Sequence, residues 1–179
     1  MAVVDDSVYQ GSAAGKPVNV NDLGTFPPNS SWFITYPSSG NATTDANNPN
    51  SFVKFQLIRL PTELGGGSKD ASAFVAFSTV CTHLQCRLNY APLQGDNPVE
   101  NGYVLNATTR QDFECPCHGN IYRVPDGVLT EGPSLEKGPP ATAIPYLTLS
   151  SDSQGILWIE PPIWDYQHNG VVGYGRYVD

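Results

Sequence analysis

The sequence predicts an all-β, antiparallel fold built from several short strands. Three observations carry this. Apolar and polar residues alternate in brief runs, as half-buried strands require. Gly, Pro, Asn and Ser punctuate those runs at close intervals. No long stretch repeats its apolar residues with helical periodicity. Charged residues make up only 15% of the chain, which suits a loop-rich β protein better than a helical one.

Taken in order, the first fifty residues read as loop and edge strand. Pro27-Pro28-Asn29-Ser30-Ser31 breaks structure, and Trp32-Phe33-Ile34-Thr35-Tyr36 is a short β-rich segment. Residues 38–50 are polar loop. Phe52 to Leu60 alternates as a strand, and Gly65-Gly66-Gly67-Ser68 reads as a flexible turn, with no Gly-Lys-Ser/Thr to make it a phosphate loop. Ala73 to Val80 is a strand. Tyr103-Val104-Leu105 and Asp112-Phe113-Glu114 bracket a hairpin, and Arg87 through Gly102 looks like an inserted loop. Asn120 to Val124 alternates again before a Pro125-Asp126-Gly127 turn. Gly138-Pro139-Pro140 is another breaker. Leu147-Thr148-Leu149 and Ile156 to Ile159 close the β pattern. The aromatic, Gly-rich tail from Ile163 to Tyr177 packs along a sheet, with His168 on the surface.

The length suits one domain, residues 1–179, with room for a real core. A formal net charge of −8 excludes the basic stripe of a nucleic-acid binder. No stretch reaches the roughly 18 apolar residues of a membrane-spanning helix, and no signal-peptide core is present. Sequons at Asn29, Asn41 and Asn106 lean towards an extracytoplasmic location.

All four Cys and two of the three His fall in two boxes. The first is Cys81-Thr82-His83-Leu84-Gln85-Cys86. The second is Cys115-Pro116-Cys117-His118-Gly119-Asn120-Ile121-Tyr122. A strand delivers each box, so the two loops can lie side by side and supply two ligands each. Three chemistries use such residues. One is structural zinc, although six candidate ligands exceed its tetrahedral set. Another is a disulfide framework in an extracellular binding module, which leaves the His unexplained. The third is a two-iron cluster with mixed Cys and His ligands.

The two boxes together resemble the Rieske iron–sulfur proteins, whose hallmark is C-T-H-L-x-C followed by C-P-C-H-G-x-x-Y. The resemblance covers the boxes; the flanks match in β character alone. It implies an antiparallel β-sandwich with a small cluster-binding subdomain, at about residues 79–141, inserted in a β base domain. It implies a [2Fe–2S] cluster with Cys81 and Cys115 on one iron, His83 and His118 on the other, and a disulfide between Cys86 and Cys117. It further implies that Tyr122 hydrogen-bonds a ligand sulfur and that Leu84 shields the cluster. Gly138 and Pro139 would belong to a proline loop covering its far side. Asn120 departs from the pattern, since high-potential members carry Ser there; Gln85 departs too, standing where Gly is usual.

The disulfide-bearing form is typical of quinol-oxidising cytochrome complexes, and disulfides persist in oxidising compartments. The resemblance therefore implies an electron carrier that takes an electron from membrane quinol, and a proton through a His ligand. It would work beside cytochrome b and pass the electron to a cytochrome or an oxidase centre. Replacing two thiolates by neutral imidazoles raises the potential to roughly −150 to +300 mV, against about −400 mV for plant-type clusters. An N-terminal membrane anchor, an extracytoplasmic head and an archaeal source are expected in the intact protein. The rivals are the Rieske subunit of an arsenite-oxidase-like enzyme and a ferredoxin feeding an oxygenase.

Overall fold

The computed structural model describes residues 17–35, 54–84, 86–91, 99–100, 103–104, 112–124, 126–137, 142–160, 163–165, 170–172 and 176–177. Strands are numbered in chain order. The first six are β1 (Ser30–Thr35), β2 (Lys54–Arg59), β3 (Phe74–Ser78), β4 (Asn89–Ala91), β5 (Val99–Glu100) and β6 (Tyr103–Val104). Then come β7 (Asp112–Glu114), β8 (Ile121–Arg123), β9 (Leu129–Glu131), β10 (Leu149–Ser151) and β11 (Leu157–Ile159). The tail adds β12 (Ile163–Asp165), β13 (Gly170–Val172) and β14 (Arg176–Tyr177). Short 3-10 turns are the only helical elements among the described residues, and the fold is all-β. Two compact units emerge, one spanning Met1–Phe77 with Leu147–Pro162, the other Ser78–Tyr146 with Ile163–Asp179.

In the first unit β1, β2 and β3 form a sheet in that order. Antiparallel pairing of β1 with β2 runs from Ser30↔Arg59 to Thr35↔Lys54. Alternation puts Trp32, Ile34, Phe55 and Leu57 into a core completed by Val18, Val20, Phe26, Phe74, Ala76, Leu147, Leu157 and Ile159. β1 starts inside the expected breaker run, because Asn29 turns the chain with φ 62° and bonds back to the Arg59 carbonyl at 3.1 Å. β10 and β11 make a hairpin, Leu149↔Ile159.

Central β2 is buried on both faces, and this exposes a residue that strand alternation did not single out. Arg59 is fully buried. Its guanidinium donates to the carbonyls of Gly66 at 2.7 Å, Phe26 at 3.0 Å and Ser68 at 2.9 Å, and it lies 4.9 Å from the Phe74 ring centroid. The Gly65–Ser68 segment is therefore a pinned turn, not a flexible one. At Gly66 a Cβ would sit 1.6 Å from the Leu60 carbonyl oxygen, so only glycine fits.

The second unit centres on a four-stranded antiparallel sheet in the order β4-β7-β8-β9. Asn89↔Glu114 and Tyr90↔Phe113 pair β4 with β7, and Phe113↔Tyr122 pairs β7 with β8. Residues 89–91 thus form a sheet strand inside the stretch read as an inserted loop. Tyr103–Val104 pairs with Val99–Glu100 and not with Asp112–Glu114, so the two bracket no common hairpin. A row of aromatic residues crosses one sheet face: Tyr90 and Phe113 are 5.4 Å apart at their centroids, and Tyr122 is opposite Phe113. Tyr122 is completely buried. In the tail, β12, β13 and β14 form a separate sheet.

Candidate metal centre

Each Cys/His box is a loop closed by its own backbone. In the first, Cys81 N–H donates to the Cys86 carbonyl at 2.8 Å, and Leu88 N–H to Thr79 at 2.8 Å. Val80 and Arg87 bridge at its base. The second box joins β7 to β8. There Cys115 N–H donates to Asn120 at 2.8 Å and Gly119 N–H to Cys115 at 2.9 Å. Gly119 takes φ 75°, a left-handed conformation that suits glycine.

The two loops meet. Cys86 and Cys117 are joined by a disulfide with Cα atoms 6.5 Å apart. Cys81 and Cys115 are free thiols and fully buried. The rings of His83 and His118 are 4.7 Å apart at their centroids, edge to face at 88°. His118 is exposed and His83 partly so. The Nδ1 atom of His83 is buried, with no hydrogen-bond partner among the described residues.

Electrostatics distinguish the two thiols. A hydrogen bond from Cys115 holds Cys81 down at about 5, against the cost of its burial. The His83 backbone N–H, the Tyr122 hydroxyl and the Asn120 amide help. The same bond, with burial, pushes Cys115 up.

Cys86, Cys115 and Cys117 also have their sulfurs within 4.8 Å of one another. That trio is no metal site, because two of its sulfurs are spent in the disulfide. The donors that remain are two buried thiols and two adjacent imidazoles, one with a buried ring nitrogen lacking a partner. Such a set fits a two-iron cluster with thiolate and imidazole ligands.

Around Cys81 lies a buried polar network. The Tyr122 hydroxyl is 3.6 Å from the Cys81 sulfur, 2.7 Å from Thr82 Oγ1, and accepts from Thr82 N–H at 3.3 Å. Asn120 Nδ2 donates to Tyr122 Oη at 2.9 Å and to Ser134 Oγ at 2.8 Å, and lies 3.6 Å from the Cys81 sulfur. Asn120 and Ser134 are fully buried. Leu84 is 62% exposed, an apolar side chain at the loop tip. Gln85, Gly138, Pro139, Pro140 and His168 lie outside the described residues, as do the sequons at Asn41 and Asn106. Sequence reasoning singled out neither the Thr82 hydroxyl nor Ser134. Thr82 stood inside the first box as a motif letter, and Ser134 carries no local signal at all.

A family profile for the Rieske [2Fe–2S] domain matches residues 52–148. The chain belongs to this family, and its domain binds a [2Fe–2S] cluster and serves electron transfer. No curated protein matches significantly in sequence. Among solved structures, the soluble domain of Rieske protein II (soxF) from Sulfolobus acidocaldarius matches at 20% identity and TM-score 0.49, covering 92% of this chain and 88% of that one. The quaternary ammonium Rieske monooxygenase CntA matches at 14% identity and TM-score 0.39, covering 89% of this chain and 38% of that one. A second structure of a quaternary ammonium Rieske monooxygenase, described in connection with carnitine oxidation by gut microbiota, matches at 15% identity and TM-score 0.39. It is covered over 37% of its length and covers 89% of this chain. No described helix is long and apolar enough to cross a membrane.

Proposed function

We propose that this domain is the electron carrier of a quinol-oxidising respiratory complex. Cys81 and Cys115 hold one iron, and His83 and His118 hold the other. The observation that carries this reading is the Cys86–Cys117 disulfide, which ties the two ligand loops together. A covalent clip between loops persists in an oxidising compartment, which supports a position at the extracytoplasmic face of a membrane. It also limits loop movement when the charge of the site changes.

The bound cluster supplies one-electron acceptance at a potential raised by its two neutral ligands. The protein supplies the rest. Exposed His118 is placed to hydrogen-bond a quinol hydroxyl through its outer ring nitrogen and to take its proton as the electron leaves. Leu84, exposed and next to His83 in sequence, offers apolar surface to the quinone ring. Cytochrome b is the expected neighbour, and a cytochrome or oxidase centre the onward acceptor.

A redox titration repeated across pH tests the reading. The expected result is a potential above zero that falls as pH rises, because electron uptake is coupled to a proton. A low potential that stays flat across pH contradicts quinol oxidation.

A further inference from the structure

One buried hydroxyl touches the site without belonging to either box. Ser134 sits in the 3-10 turn Pro133–Lys137 and has no solvent exposure. The chain reaches it through Gly132, whose φ is 112° and where a Cβ would lie 2.4 Å from Asn120 Oδ1. The backbone is therefore packed directly against Asn120.

Ser134 holds both ends of the Asn120 amide. Its backbone N–H donates to Oδ1 at 3.3 Å, which fixes the way the amide faces. Its Oγ accepts from Nδ2 at 2.8 Å. A primary amide nitrogen carries two hydrogens. Here they face three acceptors: Ser134 Oγ at 2.8 Å, Tyr122 Oη at 2.9 Å and the Cys81 sulfur at 3.6 Å. All three lie at ordinary hydrogen-bond distances for their atom types, so two hydrogens serve three acceptors and the sulfur shares its hydrogen with an oxygen.

We propose that Ser134 is a positioning residue that holds the cluster's potential down, by diverting an Asn120 amide hydrogen from the Cys81 sulfur. The proposal rests on Cys81 being an iron ligand, as assigned above. A hydrogen bond to a ligand sulfur favours the more negative, reduced state, so withholding one lowers the potential. In Ser134→Ala the backbone N–H remains and the amide keeps its orientation. The freed hydrogen then has the Cys81 sulfur as its remaining acceptor.

Equilibrium redox titration of Ser134→Ala, Asn120→Ala and the double variant tests this, with iron content and visible spectrum recorded for each. Ser134→Ala is expected to bind the cluster fully and to titrate above the parent. The double variant is expected to titrate with Asn120→Ala, since no amide hydrogen is left to redirect. Ser134→Thr, which keeps the oxygen, is expected to titrate with the parent. An unchanged or lowered potential in Ser134→Ala, loss of its cluster, or a shift that persists without Asn120 overturns the proposal. Cys81→Ala separates this from the ligand assignment. If it abolishes the cluster while Ser134→Ala fails to raise the potential, only the Ser134 role falls. If it keeps the parent spectrum, the ligand assignment falls and takes the Ser134 role with it.

Discussion

The Asn120 amide donates to the Tyr122 hydroxyl across 2.9 Å, and both groups approach the Cys81 sulfur at 3.6 Å. Tyr122 is fully buried and its hydroxyl is bonded to Thr82 and Asn120, which fixes its position. Made in an Asn120→Ala background, where no amide hydrogen can move to the sulfur in its place, Tyr122→Phe keeps the ring and removes the donor. The cluster should remain and its potential should fall by about 40 mV, the one-electron equivalent of a bond worth about 1 kcal/mol. Potentiometry checks this, and an unchanged potential removes Tyr122 from the set of tuning groups.

The disulfide closes a loop across a sequence separation of 31 residues. Chain-entropy arguments give such a link about 2–4 kcal/mol. The double variant Cys86→Ala, Cys117→Ala should still assemble the cluster but lose its visible absorption at a lower temperature. Thermal bleaching at the parent midpoint would show that the clip contributes nothing to holding the site.

Arg59 is a separate test, remote from the chemistry. Its guanidinium satisfies three backbone carbonyls inside the first unit. Each buried acceptor left without a donor costs about 1–3 kcal/mol. Arg59→Met should therefore destabilise the protein by more than about 3 kcal/mol in urea unfolding. Arg59→Lys should recover little of this, because one ammonium cannot span the three directions of the guanidinium fork. A loss within about 0.5 kcal/mol, typical of surface changes, contradicts the pinned turn.

Acid stability should depend on Asp152. Its carboxylate accepts from Trp158 Nε1 at 2.8 Å and from the N–H groups of Ile156 and Gln154, at 2.9 Å each, across the β10–β11 turn. These bonds hold its pKa below the ordinary value, the Trp158 bond foremost. A lowered folded value means the contribution is present above the unfolded value of about 3.9 and is lost as pH falls through the folded one. Asp152→Asn should flatten acid unfolding in that window, read by Trp158 fluorescence. A profile identical to the parent would show that the turn does not depend on the charge.

The β class was legible because alternation is local: Trp32 and Ile34, and Phe55 and Leu57, announce a buried face on their own. Asn89–Ala91 was hidden because three residues are too few to show a period, and β7 selects it as a strand from across the chain. Arg59 was hidden because a charged residue reads as exposed until three carbonyls from two separate segments converge on it. The two boxes drew attention as rare residue types at short spacing. Ser134 did not, since an ordinary serine becomes part of the site only through the turn at Gly132. Residues whose chemistry is unusual advertise a site; residues that act by placement need the fold.

The central claim is the mixed ligand set, with His83 and His118 together on one iron. Pulsed EPR of the reduced protein, with and without ¹⁵N-labelled histidine, addresses it directly. The account predicts two distinct histidine nitrogen couplings, both altered by the label, with one lost in His83→Cys and the other in His118→Cys. A reduced cluster without histidine coupling, or couplings that survive both substitutions, would contradict it.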